Sequence, residues 1–139
     1  MCIRDSSRDY LSDDKGLVEN SPTSGKWKIW KMAKGLYGKN TLTFYSPYKK
    51  GYAIRHQGYR AKVHRGTSTL FRKDASFHVT KGLIGAGVSF MSVNYRGHFL
   101  MHAGYRKNVA DHAVSIVKYY GRFKQKKAAT FYPKRVKCP

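Results

Sequence analysis

Acidic residues are scarce in this 139-residue chain, where 7 Asp and Glu stand against 28 Lys and Arg for a formal net charge of +21. Asp5, Asp9, Asp13, Asp14 and Glu19 are five of the seven, leaving only Asp74 and Asp111 beyond residue 19. Glycoside hydrolysis normally needs two facing carboxylates, so this scarcity argues against catalysis by the chain itself. Cysteine is nearly absent: Cys2 and Cys138, at opposite ends, exclude an interior disulfide framework and leave only a terminal bridge open. There is no CxxC, GxSxG, HExxH, P-loop or dinucleotide fingerprint. His98 and His102 can face one side of a strand, but two ligands make no zinc site, and neither a metal nor a cofactor is expected. The longest weakly polar run, Leu83 to Val93, carries Gly85, Gly87 and Ser89 and falls far short of the ~20 apolar residues of a spanning helix, so no membrane partner is expected. No apolar secretory core interrupts Met1 to Asp14.

What is present is a globular balance, 41% hydrophobic with 14% aromatic, on a length that suits one domain. Beyond residue 19 lie 25 of the 28 lysines and arginines, and the field they generate calls for an anionic or polyhydroxyl polymer as partner. Charge of this kind attracts nucleic acid and acidic polysaccharide alike.

Self-comparison reveals a repeat. The segment from Leu42 to Val63 lies over that from Val88 to Val109 at an offset of 46, with identities at 8 of 22 positions: Phe44/Phe90, Ser46/Ser92, Gly51/Gly97, His56/His102, Gly58/Gly104, Tyr59/Tyr105, Arg60/Arg106 and Val63/Val109. Trp30-Lys-Met-Ala-Lys-Gly-Leu36 matches Phe77-His-Val-Thr-Lys-Gly-Leu83 at 47, and Ala75-Ser-Phe77 matches Ala129-Thr-Phe131 at 54. The third unit therefore carries about eight extra residues, expected in a surface loop between Val109 and Ala128. Counting back 46 residues from Leu42 places the opening strand of the first unit before the chain starts, so that strand is expected to be missing. Tyr10 to Val18 is expected as the second hairpin. Met1-Cys2-Ile3-Arg4-Asp5-Ser6 reads as a translated adaptor remnant and is set aside.

Three units of ~45 residues, with short alternating strands and Gly-rich turns, point to an all-β closed architecture. Val109, Ala113, Ile116, Val117 and Tyr120 also fit a helical stripe, but strands are favoured there. Phe44, Phe90, Phe77, Phe131, Trp27 and Trp30 recur at equivalent places and are expected in the core. Arg122 to Lys127 reads as a solvated loop.

Phe90-Met-Ser-Val-Asn-Tyr-Arg-Gly-His-Phe-Leu-Met-His102, together with Asp74-Ala-Ser-Phe-His-Val-Thr-Lys-Gly-Leu83, resembles the repeat signature of the arabinose-binding domain of α-L-arabinofuranosidase B. The resemblance spans roughly Trp27 to Lys137. It implies a β-trefoil of three repeats; with the back-count and the adaptor-like start, the first repeat is expected to be N-terminally truncated, residues 1–8 non-native or disordered, and residues 9–139 a single domain divided near 9–40, 41–86 and 87–139. It implies an extracellular, monomeric, non-catalytic module that binds arabinofuranose side chains of arabinoxylan or arabinan, ancillary to a glycoside hydrolase domain that would lie outside this chain. A competent repeat in that family uses a His and an Asp. Repeat two keeps both, His56 and Asp74, with Tyr59 as an aromatic face; repeat three keeps His102 and Tyr105 but has Ala128 in place of the acid. Repeat one has Asp13 for the His and Trp27 near the acid position, and no sugar site is expected there.

Other readings compete with these roles. A repeated His can cap a turn through backbone hydrogen bonds without any ligand, and Asp74 can simply pair with Arg72 or Lys73. Uronate-bearing glycans such as glucuronoxylan or pectin suit the basic surface. So does nucleic acid, as an alternative function for the same fold, through Tyr48-Lys-Lys-Gly-Tyr52 and Lys118-Tyr-Tyr-Gly-Arg122.

Overall fold

A computed structural model describes residues 2–5, 10–21, 28–102 and 113–134. Twelve strands and two one-and-a-half-turn helices occur among them: β1 (Cys2–Asp5), β2 (Tyr10–Asp14), β3 (Leu17–Ser21), β4 (Lys31–Lys34), β5 (Thr41–Tyr45), β6 (Tyr52–Gln57), β7 (Arg60–Arg65), α1 (Thr69–Asp74), β8 (Phe77–Lys81), β9 (Val88–Ser92), β10 (His98–His102), β11 (Val114–Lys118), α2 (Phe123–Ala128) and β12 (Phe131–Lys134).

Six strands form a barrel. β4 pairs with β5, β5 with β8, β8 with β9, β9 with β12 and β12 with β1, all antiparallel, and a bridge between Cys2 and Ile29 closes the ring beside β4. The other six form three hairpins, β2–β3, β6–β7 and β10–β11, which join one another through Leu17↔Lys62, Ser115↔Arg60 and Glu19↔Ala113. A six-stranded barrel capped by a triangle of hairpins, built from three four-strand units, is a β-trefoil.

The threefold repeat is visible bond by bond. Thr43 Oγ1 donates to Ala75 O at 2.8 Å and Ser89 Oγ to Ala129 O at 2.7 Å; the same oxygens accept from Leu36 N and Leu83 N. Ser76 and Thr130, each donating to the last turn of a helix, likewise accept from Tyr37 N and Ile84 N. The Lys-Gly-Leu marker is steric in origin. A Cβ on Gly35 would meet Thr41 Oγ1 at 2.0 Å and one on Gly82 would meet Ala86 O at 1.8 Å, so only glycine fits either turn.

Inside the barrel, Phe44 packs edge-on to Phe90 at 4.9 Å, and Trp30, Phe77 and Phe131 complete a fully buried aromatic layer. These five bear out the expected core; Trp27 lies outside the described residues. Val79, two residues on from Phe77 in β8, faces solvent.

The opening strand expected to be missing is present. Cys2–Asp5, set aside in the sequence reading, pairs with β12 from Cys2↔Lys134 to Asp5↔Phe131 and buries Ile3 where Phe44 and Phe90 stand in the other repeats. The back-count failed because repeat one is shorter: Trp30 follows Ile3 sooner than Phe77 follows Phe44. Residues 6–8 lie outside the described residues. Cys2 is disulfide-bonded, and Cys138 also lies outside them.

The extra residues of repeat three enter earlier than expected. His102 faces Val114 where His56 faces Ala61, so Ile116, and not Val109, takes the place of Val63, and the insertion falls in the β10–β11 connection. Strands are confirmed at Val114–Lys118. Arg122 to Lys127 is a correction: it is not a loop but supplies most of α2, the counterpart of α1. Six-residue helices carry too little periodicity to be read from sequence.

Candidate carbohydrate site

Repeat two places its two signature residues on adjoining elements. His56 is the fifth residue of β6 and Asp74 the last of α1, and both are nearly sealed, 3% and 4% exposed. Ser68 starts the helix by accepting from Phe71 N at 3.0 Å, and Phe71 then turns inward beneath Arg55, whose guanidinium lies 5.3 Å from the ring centre.

Asp74 is held from two sides. Arg55 Nη2 donates to Oδ2 at 2.5 Å and Asn94 Nδ2 donates to Oδ1 at 2.9 Å, while His56 Nε2 stands 3.5 Å from Oδ1. The ion-pair partner is thus Arg55 and not the neighbouring Arg72 or Lys73, and the pair is buried. His56 Nε2 also lies 2.9 Å from Asn94 Oδ1 and 3.1 Å from Ser92 Oγ, so the ring is fixed by side chains of repeat three and not by backbone. Burial, joined by the charges of Arg55 and His98, lowers the His56 pKa from its ordinary value of 6.5 against the raising effect of the hydrogen bond to Asn94 and the charge of Asp74, which keeps the imidazole neutral at neutral pH.

Aromatic rings lie over this polar floor. Tyr95 meets His56 edge-on at 4.8 Å and Tyr59 at 5.5 Å; Tyr59 stacks on His98 at 5.8 Å with 24° between planes. Tyr59 is 55% exposed and sits with Gly58 in the β6–β7 turn at φ +64°, a left-handed conformation that a bulky residue adopts only at a cost. The fold holds an exposed ring in a strained place, joined to His56 through Tyr95.

The other repeats show what substitution does to the same frame. By strand register Asp13 occupies the position of His56, and it pairs with Lys49 at 2.7 Å, the residue standing where Tyr95 stands in repeat three. Repeat one has a salt bridge in place of the histidine–tyrosine contact. In repeat three Met101 and Ala128 replace Arg55 and Asp74 and belong to an apolar cluster with Phe99 and Val117. His102 stays, but among the described residues neither of its buried ring nitrogens has a hydrogen-bond partner. Tyr105 lies outside the described residues.

Of the sequence candidates, the structure gathers His56, Asp74 and Tyr59 within one network and sets His102 apart. Arg55, Ser92, Asn94, Tyr95 and His98 were missed. For Asn94, Tyr95 and His98 the signal was divergence inside the aligned repeats, where Tyr48, Lys49 and Tyr52 stand; Arg55 likewise aligns with Met101, while Ser92 is matched by Ser46 and gave none. Among the described residues no three His, Cys, Asp or Glu side chains are grouped as metal ligands, and no helix is long and apolar enough to cross a membrane.

The family model of the alpha-L-arabinofuranosidase B (ABFB) domain matches residues 6–132. The chain belongs to that family. An arabinofuranosidase complexed with arabinofuranosyl-alpha-1,2-xylobiose shares the fold of this ABFB domain, with a TM-score of 0.80 and 17% identity over 94% of this chain and 30% of the enzyme. This ABFB domain thus spans about 30% of that enzyme's length. The cytolethal distending toxin of Actinobacillus actinomycetemcomitans superposes with a TM-score of 0.72 at 16% identity over 100% of this chain and 94% of the toxin chain. A ricin B-like lectin of Macrolepiota procera in complex with lactose does so with a TM-score of 0.68 at 13% identity over 94% of this chain and 90% of the lectin. No curated protein matches the chain.

Proposed function

We propose that this ABFB domain is a non-catalytic module that binds arabinofuranose side chains of plant polysaccharide at repeat two, in the service of a glycoside hydrolase. One observation carries the reading: Asp74 and His56, the family pair, are locked by Arg55, Asn94 and Ser92 beneath the exposed rings of Tyr59 and Tyr95. A fixed set of polar groups beneath aromatic faces is how a furanose is oriented and covered: hydroxyls meet the Asn94 amide and the tyrosine hydroxyls, and ring C–H groups meet the tyrosine faces. The more exposed Tyr59, Tyr95 and Asn94 supply the outer contacts, and the sealed pair fixes their geometry. Repeat three, without its acid, contributes at most a weaker contact through His102 and Tyr105.

The module acts outside the cell and as a monomer in this reading; a disulfide at Cys2 suits an oxidising compartment. Affinity electrophoresis in gels containing arabinofuranose-decorated xylan, undecorated xylan or duplex DNA tests it. Retardation by the decorated xylan alone, abolished by Asp74→Ala in a folded protein, is the expected result. Retardation by DNA alone, unchanged in that variant, replaces the sugar site with a charge-driven nucleic-acid function.

A further inference from the structure

Repeat three has lost the acid of the sugar site and gained a surface instead. α1 begins at Ser68, which caps it, whereas α2 begins at Arg122, which makes no side-chain capping bond, and no acid occupies the first turn of either helix. A cation at the start of a helix opposes its dipole and forgoes the hydrogen bond that Ser68 makes. Phe123 and Lys124, exposed at the start of α2, stand where α1 has Thr69 and Leu70. Phe123 at 66% and Tyr120 at 69% are the most exposed large hydrophobic side chains described. Each has a cation against it: Arg122 lies 5.9 Å from the Tyr120 ring centre and Lys127 5.8 Å from that of Phe123. None of these cations pairs with a carboxylate among the described residues.

The surface is tied together by hydrogen bonds and joins the repeat-two site. Gln125 donates to Lys118 O and accepts from Tyr120 N, both at 2.8 Å, pinning the segment that carries the rings. Lys118 is the direct cross-strand partner of His98, the ring stacked on Tyr59, so both project from the same face of the β10–β11 hairpin. An aromatic and basic track therefore runs from Tyr59 through His98 and Lys118 to Tyr120 and α2.

We infer that this track, Lys118, Tyr120, Arg122, Phe123, Lys124 and Lys127, is a second binding surface, for the uronate-bearing backbone of an acidic polysaccharide. Pyranose rings lie against Tyr120 and Phe123, and the carboxylates they carry meet the lysines and the arginine. Continuity with the repeat-two rings favours a glycan over a nucleic acid; that continuity rests on the sugar-binding reading, while the charged surface does not.

The test uses the full chain, with polygalacturonate, neutral arabinan and duplex DNA as probes at low and at moderate salt. The variant Lys118→Gln/Arg122→Gln/Lys124→Gln/Lys127→Gln is expected to lose at least about tenfold in polygalacturonate affinity, and most of its salt dependence, with arabinan binding unchanged. Tyr120→Ala, which removes no charge, is expected to weaken polygalacturonate binding severalfold. Asp74→Ala separates the two readings, abolishing arabinan binding and leaving polygalacturonate binding in place. Failure of the wild-type chain to bind polygalacturonate, or unchanged binding in both track variants, overturns the proposal. Tighter binding of DNA than of polygalacturonate assigns the track to nucleic acid instead.

Discussion

Arg55 donates to Asp74 at 2.5 Å in repeat two, and the same two positions of repeat three hold Met101 and Ala128. The pair has been exchanged as a unit. Removing one partner of a buried pair leaves an uncompensated charge, whereas an apolar pair of suitable shape does not.

Asp74→Ala is therefore expected to cost about 3–5 kcal/mol of stability by stranding Arg55. The double variant Arg55→Met/Asp74→Ala transplants the repeat-three solution and is expected to recover most of that loss while remaining unable to bind arabinofuranose. Denaturant melts beside affinity electrophoresis check both halves. A double variant as unstable as the single one refutes the transplant.

Acid weakens this fold in a definite window. His56 and His64 both have pKa values lowered from 6.5, foremost by burial. The unfolded chain thus takes up protons at these sites before the folded one does. Their contribution to stability is complete above pH 6.5 and declines as pH falls through that value toward the depressed ones. Urea midpoints at pH 8, 6.5 and 5 are expected to fall in that order, less steeply in His56→Asn/His64→Gln. An equally steep fall in the double variant contradicts the assignment.

Tyr59 at φ +64° trades stability for an exposed ring. Tyr59→Gly removes the strain and is expected to hold stability or raise it by about 1 kcal/mol. Arabinan binding is expected to weaken about tenfold, the order set by loss of an aromatic contact. Thermal melts and titration calorimetry read the two effects, and a destabilised variant contradicts the strain.

Arg122→Ser gives α2 the cap that Ser68 gives α1. The gain is expected to be about 1 kcal/mol, with a weaker response to polygalacturonate. A loss of stability refutes the view that Arg122 is held there against the preference of the helix.

The trefoil was legible because Phe44/Phe90, the Lys-Gly-Leu turns and Ala-Ser/Thr-Phe recur at nearly constant spacing, each being a steric or hydrogen-bonding demand of the barrel. β1 was not, since Ile3 breaks the aromatic pattern and repeat one is short. His56 and Tyr59 could be picked out because the repeat marks them, and Asp74, which has no acidic counterpart in repeat three, because the family signature does. Asn94 and Tyr95 stood out in the repeat only as departures from Tyr48 and Lys49, because they come from the following repeat, and an alignment of one repeat with the next does not tell which side chains meet across the boundary between them. Arg55 was hidden differently: its worth depends on Asp74, 19 residues away, through a contact only the α1 turn creates.

Antiparallel pairing of β1 with β12 sets Cys2 opposite Lys134, so the polypeptide enters and leaves the barrel at one spot. Such a fold can be spliced into a loop of a host protein by both ends, or its ends can be joined by a short linker and new ones opened at the exposed Gly38–Lys39 turn. Either rearrangement leaves Tyr59, Tyr95 and the α2 surface facing the medium.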